Sequence, residues 1–209
     1  MARVKRTQHD RSEDTRSRLI AAARRLFAEK GFANTGTEEI VAAAGVSRGA
    51  LYHQFDDKTA LFLGVFENVE ADMIRRVEAS FPPGSAALEQ VHIGCDAFLD
   101  ACGEPEMRQI ALTDAPSVLG WAMWREVDAR YGLGLIRTVL RRLVAEGNLA
   151  DAQVEPVSHL LLGAVSEAAM VTGQGNADAS ASVRKNLHWM IDRTLAPNKT
   201  MTDSESDPG

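Results

Sequence analysis

Residues 37–58 read TEEIVAAAGVSRGALYHQFDDK, and this stretch decides the fold. Thr37 offers a hydroxyl to cap a helix, and Glu38 and Glu39 suit the positive end of its dipole. Ile40, Val41 and Ala44 set apolar side chains on one side before Gly45 ends the helix. A second helix begins almost at once. Ser47 is its expected N-cap, and Ala50, Leu51 and Phe55 form its buried side at three- and four-residue spacing. Arg48, Gly49, Tyr52, His53 and Gln54 then face outward. Two short helices around a tight turn, the second with a polar, hydrogen-bonding outer surface, make the pattern of a helix-turn-helix that reads DNA.

Upstream, Leu19, Ile20, Ala23, Leu26 and Phe27 recur at helical spacing from about Asp14 to Lys30, with Arg16, Arg18, Arg24 and Arg25 largely off that face. This predicts a helix bracing the reader, closed by Gly31, with Phe32 packing back under the turn. Residues 1–13 are polar and basic without periodicity and read as a flexible arm. Its Arg3, Lys5 and Arg6 either stay solvated or reach DNA phosphates or the minor groove. Downstream, Asp56 and Asp57 start a long helix over 58–80, whose stripe is Leu61, Phe62, Val65, Phe66, Val69, Met73 and Val77. Pro82, Pro83 and Gly84 end it.

The run GVSRGALYHQF followed by DDKTALF resembles the signature of the TetR family of bacterial transcriptional regulators. The preceding RSRLIAAARRLFAEKGFANTGTEEIV resembles that family's first helix and the approach to its second. The resemblance spans roughly Arg16 to Phe66. Beyond it the chain is similar to the family in length and helical texture only. What the resemblance implies is an all-α chain. Residues 14–57 would be a three-helix helix-turn-helix DNA-binding domain, and 58–196 a helical ligand-binding and dimerisation domain with 58–80 as the linking helix. A homodimer would bind a palindromic operator on double-stranded DNA as a repressor, released by a small, largely apolar effector. The alternative is an activator or a ligand-independent interaction protein built on the same reader.

Within that frame each exposed residue has an expected task. Arg48 is the candidate for bidentate contact with guanine, Gly49 permits close approach of the backbone, and Ala50 can meet a thymine methyl. Tyr52 resembles the family's phosphate-contacting tyrosine, and His53 and Gln54 occupy positions that can read bases. Lys58 and Thr37, each at a helix start, are expected to grip phosphate, and Ser47 at the start of the second helix belongs to the same expected DNA-binding set.

The remaining helices are expected at about 86–102, 106–112, 118–146, 156–173 and 179–195, with TDAPS at 113–117 as a break through Pro116 and an acidic disordered tail at 197–209. Gly132 and Gly134 mark either a kink or a close packing contact. Side chains able to line a ligand cavity are Phe66, Met73, Met107, Trp121, Trp124, Tyr131 and Met170, although helical spacing by itself favours plain core for each. His92, His159 and Glu167 are the polar candidates for anchoring a ligand. Residues 156–173 are apolar nearly all round and need cover on more than one side. With the last helix they form the expected dimer seam: Leu160, Ala164, Ala168, Val183, Leu187, Met190 and Ile191.

Composition narrows the function classes. The 209 residues carry 45% hydrophobic and 25% charged side chains and a formal net charge of −6. Residues 1–60 hold eleven Lys and Arg against eight Asp and Glu, or +3, which leaves −9 for the rest; the basic excess sits with the DNA motif. No uninterrupted apolar run approaches the ~20 residues of a membrane span, so a cytoplasmic bacterial protein without membrane partners is expected. Cys95 and Cys102, seven apart on one helix, are ~10 Å apart at Cα and beyond disulfide reach. His92 and Cys95 share helical spacing, yet no further Cys or His completes a metal site, and no cofactor is expected. A helical enzyme using His92 and His159 is the rival class. No nucleophile elbow, P-loop, dinucleotide glycine pattern or zinc spacing assembles it.

Overall fold

The computed structural model describes residues 8–196, so the expected roles of Arg3, Lys5 and Arg6 and of the 197–209 tail lie outside the described residues. The fold is all-α. In chain order it comprises α1 (Gln8–Lys30), α2 (Thr37–Ala44), α3 (Arg48–Gln54), α4 (Lys58–Ala79), α5 (Ala87–Cys102), α6 (Pro105–Met107), a π-helical segment (Arg108–Asp114), α7 (Ala115–Leu119), α8 (Trp121–Ala145), a short 3-10 turn (Asp151–Gln153), α9 (Val154–Gly173) and α10 (Ala177–Leu195).

Helices α1 to α3 close over Leu19, Ala23, Phe27, Ile40 and Leu51, all fully buried. Phe32 turns back beneath α1, its ring centroid 5.7 Å from Phe27 and 5.2 Å from Phe62 of α4, so three rings pin the first and fourth helices together. The apolar stripe of α4 is buried along its whole length, first against α1 and then against α5 and α8. One continuous helix therefore carries the reader at one end and the second helical layer at the other. In that layer α9 is wrapped by α5, α8 and α10. Gly132 is a packing contact and not a kink: a Cβ there would sit 2.8 Å from Leu162 Cδ1, and α8 runs on unbroken. Around Gly134 a Cβ would meet nothing.

Several local expectations are corrected. Helix α1 begins at Gln8, so residues 8–13 extend a helix that the absence of apolar periodicity had hidden. Solvated contacts sustain these turns, including a His9–Glu13 pair at 3.3 Å and Thr15 Oγ1 donating to the Arg11 carbonyl. Thr37 is not a cap; Gly36, in extended conformation, precedes α2, and no side chain caps its first turn. Thr113–Ser117 does not break the chain. The π-helical segment, in which Ala115 N–H reaches back to Ile110, widens the turn just before Pro116, where a regular helix would set the ring against the carbonyl four residues back. The break comes at Gly120 instead, with φ 78° and ψ 157°, a conformation closed to residues with a Cβ. By length and composition Asp151–Gly173 does reach the membrane-spanning range, although less than half of that apolar window is buried and it packs among helices.

Two contacts tie the layers together. Arg24 of α1 donates to both Glu106 oxygens, at 2.8 and 2.9 Å, and to Asn68 and Asp72 of α4. The Phe32 backbone N–H donates to Asp114 Oδ2 at 2.8 Å, so the end of the π-helical segment holds the turn between α1 and α2.

Candidate nucleic-acid interface and ligand cavity

The turn between α2 and α3 is built from its caps. Gly45 ends α2 with φ 62°, and Arg18 Nη2 reaches across from α1 to donate to the Ala44 and Gly45 carbonyls, setting a cation at the negative end of the α2 dipole. Ser47 Oγ accepts from Ala50 N–H at 3.2 Å and starts α3. Leu51 is fully buried and Phe55 nearly so, which orients the helix and leaves Arg48, Gly49, Tyr52 and His53 exposed side by side, with Ala50 partly covered. A Cβ on Gly49 would meet only Ser47 Oγ, at 3.9 Å, so nothing within the chain requires a glycine there. Arg48 Nη1 donates to Glu38 at 2.7 Å, and its guanidinium lies 5.6 Å from the Tyr52 ring centroid.

Two of the expected DNA contacts are engaged elsewhere. Gln54 Nε2 donates to Ser12 Oγ at 2.7 Å and faces α1. Lys58 Nζ donates to the Phe32 and Thr35 carbonyls at 2.9 and 3.0 Å and lies 4.0 Å from the Phe32 ring centroid. Its ammonium is folded under the α1–α2 turn because that turn exposes two carbonyls and a ring face to it. Thr37 is half-buried at the start of α2.

The second layer holds a cavity of about 70 Å3, partly open to solvent, between α4, α5, α8 and α9. Its walls are apolar, carried by side chains such as Val77, Phe81, Val91, Leu135 and Val165. Three polar side chains interrupt them: Glu70, Gln90 and Asp128. A smaller cavity adjoins it; Glu70, Phe98 and Asp128 border both. Asp128 accepts from Arg125 Nη1 at 2.7 Å and from Ser166 Oγ at 3.0 Å. Burial pushes the Glu70 carboxyl up to about 8, with repulsion from Asp128 adding to it, and burial raises Asp128 as well.

None of the expected lining side chains borders the larger cavity. Met73, Met107 and Trp124 border the smaller one, and Trp124 Nε1 donates to the Ala111 carbonyl at 3.0 Å. Phe66 is solid core. Tyr131 and Met170 are half-buried away from both cavities. Trp121 is 63% exposed, because the Gly120 break moves the start of α8 to the surface. The polar anchors are displaced too. His92 Nε2 lies 2.8 Å from Asp192 and its ring stacks on His188 at 4.6 Å, in a surface network joining α5 to α10. His159 pairs with Glu155 on an exposed turn, and Glu167 is exposed. Cys95 and Cys102 are buried free thiols, with burial pushing Cys95 up to about 12 and Cys102 higher still. What the sequence did contain was a charge on an apolar stripe: Glu70 falls on the face of α4 set by Phe66, Met73 and Val77 at 66, 70, 73 and 77.

On the proposed dimer face, α9 and α10 expose Leu160 at 73% and Trp189 at 60%, flanked by half-buried Ala164, Val183 and Met190. Ala168, Leu187 and Ile191 point the other way and are buried within the subunit, because α9 and α10 pack on each other and on α5.

Residues 19–65 match the family model described as bacterial regulatory proteins, tetR family, and residues 88–194 match the tetracyclin repressor-like C-terminal domain. A TetR-family transcriptional regulator from Pectobacterium atrosepticum has a similar structure, with TM-score 0.80 at 32% identity over 91% of this chain and 98% of that one. The transposon Tn10 TetC protein of Escherichia coli is 25% identical over 161 residues, 76% of this chain and 80% of its own. RolR, solved with its ligand resorcinol, shares the fold at TM-score 0.70 and 18% identity, over 91% of this chain and 92% of that one.

Proposed function

The chain belongs to the TetR family of bacterial transcriptional regulators, and from that membership we propose that it represses transcription as a cytoplasmic homodimer on a palindromic operator and lets go when a small molecule fills the cavity of its second layer. The observation that carries this reading is a juxtaposition. A capped α3 presents Arg48, Gly49, Tyr52 and His53 to solvent, and α4, which starts directly after that helix, forms one wall of an apolar cavity.

In this reading residues 14–57 form the DNA-binding domain and 58–196 the effector and dimerisation domain. Arg48 reads guanine, with Glu38 holding it until DNA competes for the guanidinium, and Tyr52 takes a phosphate. Gly49 leaves room for the backbone to approach the groove, and Ala50 and His53 meet base edges. The uncapped first turn of α2, at Thr37, offers its free N–H groups to a second phosphate. A single α3 contacts too few base pairs for tight specific binding. The exposed strip of Leu160, Ala164, Val183, Trp189 and Met190 supports a four-helix seam that sets two such helices in successive major grooves. An effector that favours a different spacing of those helices releases the operator.

The test is fluorescence anisotropy of the purified protein on DNA from around its own gene across salt concentrations. Nanomolar binding to one palindrome, steeply salt-dependent and weakened roughly tenfold or more in Arg48→Ala, is the expected result. Equal weak binding to every fragment, unchanged in Arg48→Ala and Tyr52→Phe, would overturn it.

A further inference from the structure

Of the two carboxyls that border both cavities, one is already answered within the chain. Asp128, 5% exposed, holds Arg125 and Ser166, so its charge is met in place. Glu70, 6% exposed, makes no hydrogen bond or ion pair among the described residues, and the charge of Asp128 repels its own. An unpaired buried carboxylate is costly, so burial keeps this group protonated near neutral pH. A carboxyl without a partner, at the meeting point of two apolar cavities and beside the Phe98 ring, is built to receive what it lacks.

We propose that the cavity takes a hydrophobic organic amine, its apolar body against Val77, Phe81, Val91, Leu135 and Val165 and its protonated nitrogen against Glu70. The assignment rests on reading this cavity as the effector site. The ammonium group supplies the countercharge, and Glu70 gives its proton to solvent as the cation arrives. The net charge of −9 beyond residue 60 favours the approach of cations over anions. A neutral hydroxyl in the same place hydrogen-bonds the protonated carboxyl but forms no ion pair, and a carboxylate meets repulsion from Asp128.

The test compares one hydrophobe with three head groups, 4-phenylbutylamine, 4-phenylbutan-1-ol and 4-phenylbutanoate, by titration calorimetry on the full chain at pH 7.5. The amine is expected to bind at least tenfold more tightly than the alcohol, with the acid weakest, and Glu70→Gln to bring the amine down to the alcohol's level without changing the alcohol. Wild type alone gives a second readout: the amine-to-alcohol affinity ratio rises from pH 6 to pH 8.5 as Glu70 ionises. The titratable groups that border the same cavities are Asp128 from α8, held by Arg125, and the Cys95 and Cys102 thiols from α5, and Tyr131 of α8 feels the Glu70 charge. The thiols and Tyr131 are all raised and stay neutral over that range. If the alcohol or the acid binds as tightly as the amine, or the ratio is flat with pH, the amine assignment fails and the cavity stands. If none of the three binds at millimolar concentration, the reading of the cavity fails with it.

Discussion

A carboxyl buried as Glu70 is binds its proton more tightly in the folded chain than in the unfolded one, so the folded state holds the extra proton between about pH 4.5 and about 8. The stability this proton confers is fully present below the unfolded value and is lost as pH rises through the folded one. Asp128, also raised, acts in the same direction. Glu70→Gln removes the titration: its melting temperature should match wild type near pH 5 and exceed it by roughly 5 °C at pH 8.5, a comparison that thermal melts at the two pH values decide. Lys58 poses a different question at the same scale. Its two carbonyl partners make it a latch for the α1–α2 turn, so Lys58→Ala should cost about 1–2 kcal/mol of stability. The salt slope of DNA binding should hold, whereas loss of a phosphate contact would lower it by roughly one. Denaturant titration and anisotropy across salt separate the two roles.

The helix-turn-helix owes its shape to a few cap positions, and these are separable by substitution. Ser47→Ala removes the hydroxyl that accepts from Ala50 N–H and should destabilise by about 1 kcal/mol. Gly45→Ala should cost at least as much, because φ 62° is unfavourable to alanine and the new Cβ would lie 2.9 Å from Arg18 Nη2, which caps the same helix end. Gly49→Ala is the counterpart. The position is open and helical, so stability should hold or rise by about 0.5–1 kcal/mol, while operator affinity falls if DNA approaches the backbone there. Melting curves and anisotropy on the three variants give opposite orders for fold and function. The segment from α6 to α7 shows what propensity misses: Pro116 lies within a helical stretch because the π-helical turns before it open the register.

At the scale of the molecule, the reader and the cavity are joined by α4 itself, by Arg24 with Glu106 and Asp72, and by Asp114 with the Phe32 N–H. The smaller cavity, bordered by Met107, Ala111 and Leu112, lies against the segment that ends in Asp114, whose carboxylate accepts from the Phe32 N–H in the α1–α2 turn. Assembly is the other property of the whole. Replacing Leu160 and Trp189 together by Glu places charge on the exposed strip of α9 and α10 while leaving Ala168, Leu187 and Ile191 packed within the subunit. Light scattering should report a folded monomer, with helical circular dichroism retained and operator binding lost. A dimer that persists would place the seam elsewhere.

The sequence by itself determined the all-α class, the helix-turn-helix and its caps at Gly45 and Ser47, and the buried stripe of α4. Each of these depends on residues within a turn or two of one another, where spacing and capping chemistry act directly. Tertiary structure decided the cavity. An empty space belongs to no segment, and whether a side chain fills it or borders it depends on how four helices meet; Phe66 became core, Trp121 went to solvent behind the Gly120 break, and Lys58 folded under a turn formed some two dozen residues earlier. Glu70 shows the boundary between the two. Its place on an apolar stripe was legible as a period, but only the packing of α5, α8 and α9 around α4 left it without a partner, because charge compensation is set by what lies across the gap and not by what lies along the chain.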